Sequence, residues 1–67
     1  MKISGARVEQ ARQQAGLSRA DIARAIGMSE VRAWQLCTEE SSNVNNIIAS
    51  VLAKKLGVTV KFLEVTH

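Results

Sequence analysis

Proline is missing from this chain, and its aromatic complement is Trp34 and Phe62 alone. With alanine abundant, that balance favours helix over sheet. Cysteine occurs once, at Cys37, and histidine once, at His67. A lone cysteine excludes an intrachain disulfide, and one Cys with one His cannot build a zinc cage, so no metal is expected. A reducing, cytoplasmic setting is the matching expectation. No apolar run approaches the roughly 20 residues of a membrane-spanning helix. Met1-Lys2-Ile3 passes at once into Ser4, Gly5 and Arg7, without the apolar stretch of a signal peptide. Catalytic apparatus is equally thin. There is no carboxylate pair set among apolar residues and no nucleophile beside a base, and the glycines stand singly rather than in a phosphate-cradling loop. No enzyme, cofactor or small-molecule ligand is therefore expected, and His67 has no partner group that would give it a chemical role.

What the chain does have is 67 residues, one domain's worth, and a formal net charge of +3. A basic balance favours a polyanionic partner without specifying one. A chain this short builds a small core. Lacking disulfide and metal, it must draw stability from tight helix packing or from a second copy.

Caps and periodicity divide the chain into five short helices. The first runs from Ser4 to Ala15, with Ser4 as cap, Val8, Ala11 and Ala15 at helical spacing, and Gly16 as the stop. Ser18 opens the second, with Asp21 three residues on in the manner of a capping box. Ile22, Ala23 and Ile26 form its apolar stripe before Gly27 ends it. Ser29 starts the third, to about Cys37 or Thr38, with Ala33, Leu36 and Cys37 facing inward. Glu39-Glu40-Ser41-Ser42-Asn43 reads as a polar loop, and Asn43 or Asn45 can cap a fourth helix. Val44, Ile47, Ile48, Val51, Leu52 and Leu56 make that helix's expected buried stripe, closed by Gly57. Thr59 caps a last turn, Val60 to Glu64, carrying Phe62 and Leu63, and the tail Val65-Thr66-His67 is expected to fray.

The segment AGLSRADIARAIGMSEVRAWQL, followed later by KKLGVTVKFL, resembles the lambdoid phage repressor and Cro-type helix-turn-helix domains. The matching pieces are a G-L-S-x-x-D-I-A start, a G-M-S turn, a Q-L near the end of the third helix and the late L-G-V-T-V-K-F-L. In order and spacing they span about Ile3 to Glu64. The resemblance implies an all-α bundle of five helices that binds double-stranded operator DNA, usually as a symmetric homodimer. The third helix then enters the major groove and the last short helix supplies the dimer contact.

Placed on this sequence, the resemblance makes Glu30, Val31, Arg32 and Gln35 the candidates for base contact. A glutamate accepts from a cytosine amino group, a valine packs on a thymine methyl, an arginine binds guanine, and a glutamine reads adenine or a backbone oxygen. Arg19 and Ser29 fall where the family meets phosphate, and exposed N–H groups at a helix start favour an anion there. Lys2, Arg7 and Arg12 are further candidates for the DNA backbone, and Val60, Phe62 and Leu63 for the dimer contact. The chain ends where that fold ends, as expected of a stand-alone, Cro-like regulator in the cytoplasm, on the nucleoid.

Blander readings accompany these. Glu30 also suits the dipole at a helix start, and Lys54 and Lys55 suit a helix end. Cys37 fits as a small core residue. Val60, Phe62 and Leu63 can equally close the core. Trp34 departs from the small or polar residue usual in the family. It either lies against the sugar–phosphate backbone or a thymine methyl, or half covers the core edge. The loop after the third helix departs too, with two carboxylates where the family carries cations. It is also about two residues longer. A protein-binding module on the same scaffold, an antirepressor or a heterodimer partner, is the alternative, since fold does not fix function.

Overall fold

Every helix in the structure, a computed structural model describing residues 1–65, starts on a side-chain cap. Ser4 accepts from the Arg7 amide ahead of α1 (Gly5–Ala15), and Ser18 forms a full capping box with Asp21 ahead of α2 (Arg19–Ile26). Ser29 accepts from the Arg32 amide at the head of α3 (Glu30–Thr38). Asn45 caps α4 (Asn46–Leu56) and Thr59 caps α5 (Val60–Leu63). Each cap satisfies an amide that the helix itself leaves without a partner. Gly16, Gly27 and Gly57 end α1, α2 and α4 in the left-handed conformation, at φ 70°, 69° and 73°. Five capped helices at the expected places match the expectation of a predominantly helical fold.

The expectation of a purely helical chain needs correction. Lys2–Ser4 forms β1 and Ser41–Asn43 forms β2, paired antiparallel with Ile3 opposite Ser42. The segment read as a loop therefore holds a strand. Ile3 also bridges to Glu64 on its other side, and the Val65 amide donates to the Lys2 carbonyl at 3.0 Å. Val65, expected to fray, is thus tied down; Thr66 and His67 lie outside the described residues. Three-residue strands are too short to show an alternating pattern, and Ser41-Ser42-Asn43 has little strand propensity. The pairing is decided by the burial of Ile3, which is fully enclosed. With strand hydrogen bonds on both flanks, its polar backbone can follow it into the interior.

The core is Ile3, Val8, Ala11, Ile22, Ala23, Ile26, Ala33, Leu36, Cys37, Val44, Ala49, Leu52, Ala53, Leu56 and Leu63. Each fully buried Leu, Ile or Val contributes about 1.5–3 kcal/mol by leaving water. α3 packs on α1 and α2, and α4 packs on α2 and α1. The expected stripe of α4 is only half right. Val44 is buried but precedes the helix, whereas Ile47 and Val51 face outward, with Ile47 74% exposed. Ala49 and Ala53 take the inner face with Leu52 and Leu56. Small residues there allow α4 to approach its neighbours closely.

Candidate nucleic-acid interface

α3 presents one face to the core and the other to solvent. Its inner side, Ala33, Leu36 and Cys37, is anchored in the core. Ser29 and Glu30, at its start, are exposed. Val31 and Trp34, one turn apart, keep 67% and 52% of their surface accessible. About half of the Trp34 side chain is therefore covered and half open. The Thr38 hydroxyl donates to the Trp34 carbonyl at 2.8 Å, closing the last turn. Nine residues between a serine cap and an extended C-cap make a short, firmly seated rod.

Arg32 and Gln35 stand differently. The Arg32 guanidinium donates to the Asn43 carbonyl of β2 at 3.2 Å and to Gln35 Oε1 at 3.4 Å, and lies 4.0 Å from the Glu39 carboxylate. The two candidate base readers are therefore bonded to one another, and the arginine ties α3 back to the small sheet. No sequence signal announced this link, because the β2 carbonyl that accepts it is eleven residues away.

Two of the three arginines expected at phosphate, Arg12 and Arg19, converge on Glu9. Arg12 makes a two-pronged contact to the Glu9 carboxylate, at 2.8 and 2.7 Å, and its third nitrogen donates to the Leu17 carbonyl at 2.6 Å. All three Arg12 nitrogens donate inside the fold, so Arg12 braces the end of α1. Arg19 reaches the same carboxylate at 3.4 Å, and its Nε is buried without a partner. The Arg12 hydrogen bond, foremost among several interactions, holds the Glu9 carboxyl down from an ordinary 4.5 to about 2. The i, i+3 spacing of Glu9 and Arg12 was the available signal for this pair. At the start of α2, Asp21 bonds the Ser18 amide and pairs with Arg24. That carboxylate already answers the helix dipole.

Lys2 is exposed on β1. Arg7 donates to the Phe62 carbonyl at 3.0 Å, and its guanidinium stacks 5.3 Å from the centre of the Phe62 ring. It joins α1 to α5. Leu63, expected at a dimer contact, is fully buried and belongs to the core. Val60 and Phe62 pack on the same core and remain only half-buried.

Between α1 and the C-terminal end of α3 lies an open cleft of about 550 Å³ lined by Glu9, Gln10, Gln13, Cys37, Thr38, Glu39 and Glu40, among others. Its carboxylates repel a phosphate, so this side is unsuited to DNA. Burial pushes the Cys37 thiol above its ordinary range, which leaves it a poor nucleophile. No group of His, Cys, Asp and Glu among the described residues is arranged to hold a metal ion, and no described helix is long and apolar enough to cross a membrane.

No family model matches the chain, and no curated protein matches it.

Proposed function

We propose that this chain is a sequence-specific DNA-binding regulator of the repressor or Cro kind, in which α3 lies in the major groove. The observation that carries the reading is the exposed outer face of a capped, core-anchored helix, with Glu30, Val31 and Trp34 uncovered. The net charge of +3 supports a polyanionic partner. Ser29, Arg19, Lys2 and Arg7 are the candidates for holding the DNA backbone. Two copies would occupy major grooves about 34 Å apart. With Leu63 committed to the core, Val60 and Phe62 remain the α5 residues available to a homodimer on DNA. The action is cytoplasmic, on the nucleoid, and requires no cofactor.

The test uses Trp34, the single tryptophan, as its own reporter. Titration with duplex DNA at several salt concentrations should shift its emission and give an affinity that falls steeply with salt. A chain that binds no duplex at low salt, or binds it with Trp34 unmoved, overturns the reading. The rival is a protein-binding module, favoured by the exposed Ile47 and Val51 of α4. It predicts indifference to salt and DNA, and co-elution with a protein partner.

A further inference from the structure

α4 carries apolar and cationic side chains on the side turned away from the core. Ile47, Val51, Lys54 and Lys55 recur at the i, i+4, i+7, i+8 spacing of a single helical stripe, and all four are exposed. We infer that this stripe docks a short amphipathic helix of a protein partner, with apolar side chains set on Ile47 and Val51 and carboxylates on Lys54 and Lys55. The stripe lies on a different element from α3, so the inference goes beyond the proposed DNA role and does not rest on it.

The apolar half of the stripe faces water. Ile47 keeps 74% of its surface accessible and Val51 38%. Both are β-branched, a type that a solvent-facing helical position favours less than a straight polar chain. Neither belongs to the core, which α4 supplies through Ala49, Leu52, Ala53 and Leu56. The folded chain gains little from them, whereas a partner that covers them removes apolar surface from water. The cationic half sets the partner's charge. Among the described residues neither Lys54 nor Lys55 forms an ion pair. Asp21 feels the charge of Lys55, but it already accepts from the Ser18 amide and pairs with Arg24. The basic end of the stripe is therefore left for carboxylates from outside. A second copy of α4 supplies none, since Asn46–Leu56 contains no acidic residue. Parallel pairing of two such helices sets lysine against lysine, and antiparallel pairing sets lysines beside Ile47. A duplex backbone satisfies lysines but offers little apolar cover to Ile47. Helix electrostatics give the direction. Carboxylates suit the first turn of a helix, so antiparallel docking puts the partner's first turn against Lys54 and Lys55. Its apolar positions then follow against Val51 and Ile47. The stripe is about 12 Å long at 1.5 Å per residue, a little over two helical turns.

The test is fluorescence anisotropy of a dye-labelled helical peptide titrated with the full chain. The probe has about 15 residues, long enough to hold a helix in water, with glutamates in its first turn and leucines at helical spacing after it. It should bind, while versions with lysine for glutamate or serine for leucine should not. Ile47→Gln should weaken binding at least about tenfold, the size of one buried aliphatic side chain. Lys54→Glu with Lys55→Glu should weaken it about tenfold and bind the lysine version of the probe instead. All three positions are exposed, so these variants should fold, and helical circular dichroism checks that they do. Lys54→Gln with Lys55→Gln carries the test if the charge reversal unfolds α4. Absence of binding to the acidic probe, equal binding of the serine version, or full affinity in Ile47→Gln overturns the docking site. A dimer in sedimentation that Ile47→Gln dissociates overturns it in favour of a second copy. Binding to anionic phospholipid vesicles that requires Ile47 overturns it in favour of a membrane surface. None of these outcomes touches the reading of α3, which the duplex titration decides.

Discussion

Gly5 at the start of α1 lies directly against the backbone carbonyl of Glu39, just beyond the end of α3, and a β-carbon on Gly5 would overlap that oxygen. The Gly5 amide donates to the neighbouring Glu40 carbonyl at 3.4 Å. Here glycine is required for lack of room rather than for an unusual φ. The contact sets how closely α1 approaches the end of the proposed recognition helix.

Gly5→Ala should therefore destabilise the fold by at least about 2 kcal/mol, toward the upper range for overpacking. Gly16→Ala meets open space but sits at φ 70°, and should cost about 1 kcal/mol of left-handed strain. Urea unfolding of the two variants compares them directly, and equal costs would contradict the close approach.

Acid should act through Glu9. Its carboxyl is held at about 2, against an ordinary 4.5, by the Arg12 hydrogen bond above all. A carboxylate with a depressed pKa stabilises the fold fully above 4.5, and that stabilisation is lost as pH falls from 4.5 toward 2. The urea midpoint should drop across this window, and Glu9→Gln should be less stable at neutral pH and show a shallower drop. Asp21, also held down by its bonds to Ser18, retains its share in both proteins. Parallel acid curves for the two would refute the assignment.

Cys37 is 4% exposed as a residue, and burial raises the pKa of its thiol. Labelling with an aromatic disulfide at pH 8 should be slow in the native protein. It should accelerate through the urea transition, in step with the loss of helical circular dichroism. Rapid labelling without unfolding would show that the thiol is open to the neighbouring cleft.

Ile47 and Leu52 lie on opposite sides of α4. Ile47→Lys should change stability by no more than about 0.5 kcal/mol. Leu52→Ala, at a fully buried site, should cost about 2–5 kcal/mol. A severe loss from Ile47→Lys would rotate α4 relative to the arrangement described.

Arg19 joins Glu9 over 3.4 Å and leaves its own Nε without a partner, so its fold contribution is small. On the proposed DNA-binding role, Arg19→Ala should lower DNA affinity evenly across sequences and reduce the salt slope by about one. An unchanged slope would remove Arg19 from the phosphate contacts.

Helix starts and stops were legible in the sequence because they depend on neighbours within four residues. Ser18 with Asp21, Ser29 before Glu30, and Gly16, Gly27 and Gly57 each act through local backbone geometry. The same holds for the inward positions of Ala33, Leu36 and Cys37, fixed by helical period. On α4 the period alone left two faces open. The larger Ile47 and Val51 lost to Ala49 and Ala53 because neighbouring helices press close.

Sequence by itself determined the number of helices and, except ahead of α4 where Asn43 and Asn45 both fitted, their caps, since these follow from short-range hydrogen bonding. Tertiary structure alone decided the pairing of Lys2–Ser4 with Ser41–Asn43, the anchoring of Arg32 to Asn43, and the commitment of Leu63 to the core. Each of these joins residues distant along the chain. Their free energy comes from desolvation shared between partners, and that exists only once the chain has brought them together.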